Sequence, residues 1–541
     1  MKKIVFGILT TLFIFTSSGC TRRINLRNEE PSIDNVNKVG SYVKKMDISF
    51  NDTTYKQLLE DALEDFKGTD DYDSLYDVIS KVVLKTNELV KKYYAAEALH
   101  NSDYDNKEYK EKYDILSDSY YEYESFRANL IVELSNDYDL LREILGEDYT
   151  DEELEFEIEL SKKKASDTYK NLKKEIDEIS DEYNKLNVSL RDDSNKALIL
   201  DNLYRFVNKN KELSSYLGFD SYIEYIDTEY SRIYTYDEEK EFISNVKDYI
   251  LPLMDNNRSV LDLKKKVKSL TYPEYNYLIE LTESSAYDRD YNTINLAKDY
   301  AKKLGGSYYS TFRDYLNEGH FIFSDSSNSL DSGYTTPYLS YFGPNYQDIE
   351  TVIHEFGHYY SINNGNVLYK SLDLKEFYSQ GNEYLFLKYL ENTSYENTKN
   401  VYDVYSCYKI VNSCQTLIIG SALREFERKI YTFDLSESAD LENIWTNLNY
   451  TDYNRLLQDY WKFEVRYDNY YLSYSTSTMG ALSLYTYANT NFEKAGLAYM
   501  NASCNDNEDD DLIEVLTKAK LVNPFSEDAF KAVVEFIKEK R

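Results

Sequence analysis

His354-Glu355-Phe356-Gly357-His358 places two imidazoles four residues apart, with a carboxylate beside the first. A helix turns once every 3.6 residues, so side chains at i and i+4 leave it on the same face. Both rings can then close on one divalent metal ion, with Glu355 next to it as a proton acceptor. The chain carries only 4 His in 541 residues, so the pairing is not a by-product of composition. The surrounding sequence predicts a buried helix. Gly343-Pro344 breaks the preceding segment, and Asp348 and Glu350 put acid at the positive end of the helix dipole. Ile349, Val352, Ile353, Phe356 and Tyr360 form one apolar stripe, with the two histidines on its flank. Asn363-Asn364-Gly365 supplies the stop. Gly357 costs about 1 kcal/mol against Ala inside a helix. Its expected use is to let another backbone approach closely.

Two histidines leave a catalytic zinc one protein ligand short. His100 and His320 are the only other imidazoles, and neither is near in sequence. His320 reads as a packed or surface histidine. Downstream, Glu376, Ser379, Gln380 and Glu383 recur at i, i+3, i+4 and i+7, on a helix whose other positions include Leu374, Phe377, Tyr384, Leu385 and Leu387. The residues alone leave two further readings open. The stripe is a solvated polar face, or Asp373-x-x-Glu376 is a capping box in which Glu376 bonds back to the helix start.

His-Glu-Phe-Gly-His followed by Glu376-x-x-Ser379-Gln380-x-x-Glu383 resembles the zinc oligopeptidases of the thimet oligopeptidase and oligoendopeptidase F family, oligoendopeptidase F most of all. The segment from Gly319-His320-Phe321-Ile322 to Tyr341-Phe342 resembles the strand-rich stretch before the zinc helix in that family. Leu217-Gly218-Phe219-Asp220-Ser221-Tyr222 resembles a family helix start, and Ser526 to Phe530 its C-terminal helix. The resemblance runs from about residue 40 to the end. It implies zinc held by His354, His358 and Glu376, with Glu383 and Ser379 in support. It also implies a mostly α fold: a two-lobed helical shell around a deep substrate channel, with a small β segment beside the zinc helix. The expected domains are an N-terminal helical part at 40–195 and a catalytic part at 196–541. Two features depart from the family. Glu376 follows His358 after only 18 residues, a short connection, and no His stands in the tyrosine-rich stretch 463–474. Arg466 is the permanent cation available there, expected to contact substrate.

The chemistry expected is peptide hydrolysis, with water activated on zinc and Glu355 as general base. Tyr467, Tyr470, Tyr471 and Tyr474 are the pool from which the oxyanion donor is drawn; with 58 Tyr in the chain, packing is the other reading of these rings. Gly333-Tyr334 is the expected place where a β segment pairs with substrate backbone. The competing class is a surface protein of the same fold that captures peptides without cutting them. A different amide hydrolysis on the same metal helix is a third reading.

Composition bounds the partners. Lys+Arg 62 against Asp+Glu 96 gives a net charge of −34. So acidic a chain argues against nucleic acid, which needs a basic patch, and draws cationic peptides at low salt. With 17 Gly and 6 Pro, few places force a helix to stop. Tyr55 to Ala95 and Asp151 to Leu190 read as long helical spans, the latter as a coiled hairpin.

Met1-Lys2-Lys3, the apolar run Ile4 to Phe15 and Ser17-Ser18-Gly19-Cys20 read as a secretory signal over 1–19 that ends in a lipoprotein-like site. Cys20 is then the lipidated residue, residues 20–39 a polar tether, and the cell membrane's outer face the address. A plainly secreted form and an uncleaved anchor are the alternatives. Cys407 and Cys414 lie seven residues apart in an apolar helical segment, too far along a straight helix for a disulfide, and are expected as buried thiols.

Overall fold

The computed structural model describes residues 43 to 540, apart from 44–45, 68–71, 137–149, 186–194, 255–257, 273, 276–277, 279–280, 282–288, 325, 327, 331, 365–370, 394–397, 449, 451–459, 466–467 and 505–511. The described chain is mostly α-helical, with one small sheet. It forms two compact units that are interleaved in sequence. One takes the described residues up to Asn171 with Asp290–Ile294 and Ser310–Gln347. The other takes Leu172–Arg289, Asn295–Tyr309 and Asp348–Arg541.

The first unit is built on Asp52–Lys67 (α1), Tyr72–Ser102 (α2), Lys107–Leu134 (α3) and Asp151–Lys164 (α4). The span Tyr55 to Ala95 is thus two helices rather than one, and 151–190 breaks at Ala165-Ser166 before a helix at Asp167–Lys185 (α5). Asn106 caps α3, accepting from the backbone N–H of Glu108 and Tyr109. Thr150 and Glu153 form a reciprocal capping box at α4. Leu59, Leu89, Leu116, Tyr123, Leu130, Leu154 and Ile158 are buried along the facing stripes of these helices, and Ile322, Leu339 and Tyr341 join that core. The last three come from a three-stranded sheet and its approach: Phe321–Phe323 (β1), Gly333–Thr335 (β2) and Ser340–Phe342 (β3), in the order β1-β3-β2. β1 runs parallel to β3, while β2 is antiparallel to it, with Tyr334 opposite Tyr341.

The second unit contains Lys196–Leu217 (α6) and Tyr222–Glu229 (α7), separated by the turn at Gly218, whose φ of 101° only glycine adopts cheaply. Its centre is four helices: Ile349–Asn364 (α8), Leu372–Asn392 (α9), Thr398–Thr432 (α10) and Tyr471–Thr490 (α11). Phe492–Cys504 (α12) and Glu527–Lys540 (α13) close the chain. α9 is buried over nearly its whole length, polar residues included, because α8, α11 and α12 pack against it. Such a helix needs a partner for every polar side chain it carries, and those partners form the site.

Neither Cys407, half-buried, nor Cys414, buried, is in a disulfide. No helix among the described residues is long and apolar enough to cross a membrane. Residues 1–39, with Cys20, lie outside the described residues.

Candidate metal centre

α8 begins where the sequence predicts. Asp348 accepts from the backbone N–H of Thr351 at 3.0 Å and from its hydroxyl at 2.7 Å, and the helix ends at Asn364. Ile349, Val352, Ile353, Phe356 and Tyr360 are buried as one stripe. A Cβ on Gly357 would sit 2.7 Å from the carbonyl oxygen of Tyr378 and 2.8 Å from Cα of Ser379, so α9 crosses α8 in contact with its backbone. Asn382 fastens the crossing. Its amide donates to the Ile353 carbonyl at 2.7 Å, and its side-chain oxygen accepts from Tyr300 at 2.8 Å and Tyr308 at 3.0 Å.

The crossing brings three side chains to one point. His354 Nε2 and His358 Nε2 each lie 3.8 Å from the same oxygen, Oε2 of Glu376. Among the described residues these three are the group whose ligand atoms converge as a metal site requires. Donors bonded to one zinc at about 2.0–2.2 Å are at most about 4.4 Å apart, and both imidazoles meet that limit against Glu376, so the arrangement fits a single ion. The alternatives left open by the residues are both corrected. The stripe is not solvated: Glu376 is 3 % exposed, and Ser379, Gln380 and Glu383 are buried with it. Nor is Glu376 a cap, because Ser371 accepts from the Leu374 N–H and fills that role.

Each ligand is held from behind. His354 Nδ1 meets Glu383 Oε1, which turns Nε2 toward Glu376. The other Glu383 oxygen takes the ammonium of Lys409 on α10, and Lys409 also donates to Glu350, which accepts from Tyr405 at 2.5 Å. This buried row of alternating charge was not foreseen; its members are scattered along three helices. Burial alone would depress His354, but the Glu383 carboxylate outweighs it and, with Glu355 and Glu376, pushes the ring up to about 9. Burial likewise opposes ionisation of Glu383, yet Lys409 and then His354 hold it below the usual carboxylate range. His358 moves the other way, far down, through burial and its neighbour His354. Glu376 accepts from Tyr470 through Oε1 and from Ser379 at 3.2 Å through Oε2.

Three comparisons set this geometry in context. Pz peptidase A, solved with an inhibitor, superposes with a TM-score of 0.71 over 92% of this chain and 98% of that one, at 14% identity. A Bacillus anthracis str. Ames protein assigned as a candidate oligoendopeptidase F gives 0.68 over 91% and 96%, at 17% identity. Oligoendopeptidase F from Enterococcus faecium gives 0.55 over 90% and 97%, at 16% identity. The fold is that of the oligoendopeptidase F structures. No protein-family model and no curated protein matches the chain.

Within this oligoendopeptidase F fold, Glu355 is 5 % exposed beside the ligand set and raises the ring of His354 and the hydroxyl of Tyr474 through its charge. The tyrosine pool separates by position. Tyr470 is committed to Glu376. Tyr474, at the start of α11, lies with its ring 6.5 Å from His354 and 5.0 Å from Tyr470, and burial keeps its hydroxyl protonated. Tyr471 packs 6.3 Å from Tyr474, while Tyr467 and Arg466 lie outside the described residues. The turn carrying Tyr470 is set by Asn469, whose φ of 55° suits an asparagine. Arg424 donates to the Asn469 side chain at 2.6 Å and Arg232 to its carbonyl at 2.5 Å. Gln380 ties α9 to the same helix, accepting from Thr478 at 2.6 Å.

Gly333 and Tyr334 belong to the first unit, on outer strand β2. Tyr334 accepts from Asn101 at 2.9 Å and stacks on Tyr341. His320 is packed: its ring stacks on Tyr315 at 5.1 Å, and Nε2 meets Glu318 at 2.9 Å.

Proposed function

We propose that the protein is a zinc-dependent endopeptidase that hydrolyses short or unfolded oligopeptides. The observation that carries this is the shared distance of 3.8 Å from the two imidazole Nε2 atoms to one oxygen of Glu376, with Glu355 on the turn between them. The fold shared with peptidase structures supports it.

His354, His358 and Glu376 would hold the metal. When bound, it supplies Lewis acidity that makes a water more acidic and polarises the scissile carbonyl. The remaining work belongs to side chains. Glu355 takes the proton of the attacking water and returns it to the departing amine. Tyr474, kept protonated by burial, donates to the oxyanion as it develops. Glu383 accepts from His354 Nδ1, so Nε2 is the nitrogen directed at the site, and it would give up its proton to take a metal. Tyr470 occupies Oε1 of Glu376, so Oε2 is the oxygen presented to a metal.

A quenched fluorescent peptide, assayed with and without chelator, tests the reading. Chelator-sensitive cleavage is expected; saturable binding with no cleavage in added zinc would instead mark a peptide-capturing protein of the same fold. The signal segment and Cys20 support an exported, lipid-anchored location. Intact mass of the membrane fraction should show lipid on Cys20, and a mass without it rejects the anchor.

A further inference from the structure

One buried arginine stands behind both tyrosines of the site. Arg232 follows α7, and its side chain is 1 % exposed. Its Nη2 donates to the carbonyl of Asn469 at 2.5 Å and to the hydroxyl of Ser473 at 2.8 Å, which Nε also reaches at 3.3 Å. Asn469 and Ser473 are the residues immediately before Tyr470 and Tyr474. The Asn469 carbonyl shares a rigid peptide plane with the nitrogen of Tyr470, so holding the one fixes the other. No described side chain caps the start of α11, and Ser473 lies in its first turn. The guanidinium therefore grips an otherwise uncapped helix start at two points.

The same side chain reaches the ligand helix. Nε lies 3.6 Å from Oδ1 of Asp373, in the first turn of α9 and three residues before Glu376. Asp373 is fully buried and neither of its oxygens has a hydrogen bond among the described residues, so the charge of Arg232 balances it. The backbone repeats the link. The carbonyl of Tyr230 accepts from the Leu372 N–H at 3.0 Å, and the Tyr230 hydroxyl donates to the Asp468 carbonyl at 3.1 Å. Asp227 completes the set, accepting from Nη1 of Arg232 at 2.9 Å. A cation at the start of two helices opposes both macrodipoles, so helix stability does not account for it. Its shape does. A planar guanidinium holds several acceptors in fixed directions, which the single nitrogen of a lysine cannot.

We infer that Arg232 is a positioning residue, which sets Tyr470 and Tyr474 against the carboxylate of Glu376. It acts through those two hydroxyls. The role of Tyr474 rests on the proposed peptidase function; the hold on Tyr470, and through it on Glu376, does not depend on cleavage.

Arg232→Lys keeps the charge and removes the fork. Zinc affinity, read by competition with a chromogenic chelator, should fall about tenfold, and the loss should vanish in a Tyr470→Phe background. At saturating zinc, kcat for a quenched fluorescent peptide should fall about 10–100-fold with KM unchanged, and this loss should vanish in a Tyr474→Phe background. An arginine that only supports the fold would cause the same fold-loss in either background. That result, or wild-type values for the lysine variant, would overturn the inference. Ser473→Ala decides if the lysine variant does not fold, since it leaves every charge in place and cuts only the grip before Tyr474. Its kcat should fall about tenfold, again only while Tyr474 is present. An unchanged kcat, or an equal loss without Tyr474, would count against Arg232. A wild-type protein that binds zinc and cuts no peptide refutes the peptidase reading alone, and the zinc affinities then decide for Arg232.

Discussion

Lys409 donates to the very carboxylate, Glu383, whose other oxygen meets Nδ1 of His354. A buried ammonium therefore sits two contacts behind a metal ligand, and Glu350 on the ligand helix shares it. Removing the cation leaves Glu383 and Glu350 without the positive charge they share, a costly arrangement around a buried carboxylate. Lys409→Met should weaken zinc affinity about 10–100-fold, the usual cost of losing a partner behind a metal ligand. Competition titration with a chromogenic chelator reads this directly. Wild-type affinity in the variant would mean that Lys409 only balances charge.

Glu355→Gln keeps the shape of the side chain and removes the base. Metal content should stay at one per chain while turnover falls about 10²–10⁴-fold. Near wild-type hydrolysis in the variant would assign the base elsewhere.

The two tyrosines beside the ligands separate by different readouts. Tyr474→Phe should lower kcat about 10²–10³-fold with metal affinity intact, as loss of an oxyanion donor does. Tyr470→Phe should act first on metal affinity, because it removes the hydrogen bond that Tyr470 donates to Glu376. The opposite pattern would exchange the two roles.

Gly357→Ala drives a methyl group into the Tyr378 carbonyl, with backbone on the far side and no flexible neighbour to give way. The cost should be roughly 3 kcal/mol, seen as a lowered thermal midpoint, and the parting of α8 from α9 should reduce zinc occupancy. Unchanged stability and occupancy would show that the crossing has slack.

A buried acidic group in the second unit predicts a dependence on pH. Burial, with Asp468 nearby, pushes Glu427 up to about 7 against the pull of Arg424, 3.8 Å away, and of Arg232. Glu464 is raised further, by burial and then by Glu427 and Asp468. An acid whose pKa is higher folded than unfolded binds more protons when folded. Its stabilising contribution is therefore full below the unfolded value and falls as pH rises toward 7. Glu427→Gln mimics the protonated form, so its thermal midpoint should overtake the wild-type value progressively as pH rises from the ordinary carboxylate range to about 7. Parallel pH curves for the two proteins would show that Glu427 titrates normally.

Much of the metal centre was legible in the chain because it is local or periodic. His354 and His358 are one turn apart, Glu376 heads a polar stripe at helical spacing, and Gly357 interrupts a helix where only close approach explains it. Lys409, Glu350, Asn382 and Tyr470 were not legible as a group. Their contacts span 26, 29, 59 and 94 positions, and no periodicity records a partner on another helix. The stripe on α9 was ambiguous for the same reason: whether Glu376 faces solvent or a ligand depends on what covers it. The span at Tyr55 to Ala95 is divided between Lys67 and Tyr72, where Gly68-Thr69-Asp70-Asp71 is a stop signal that the overall scarcity of Gly obscured.

The rivet that Asn382 makes between α8 and α9 turns two ligand-bearing helices into one rigid body. Everything that would grip the ion rides on two rods locked to each other in one unit. The grip is therefore kept or lost as a whole, because neither rod can shift without carrying the other's ligands along.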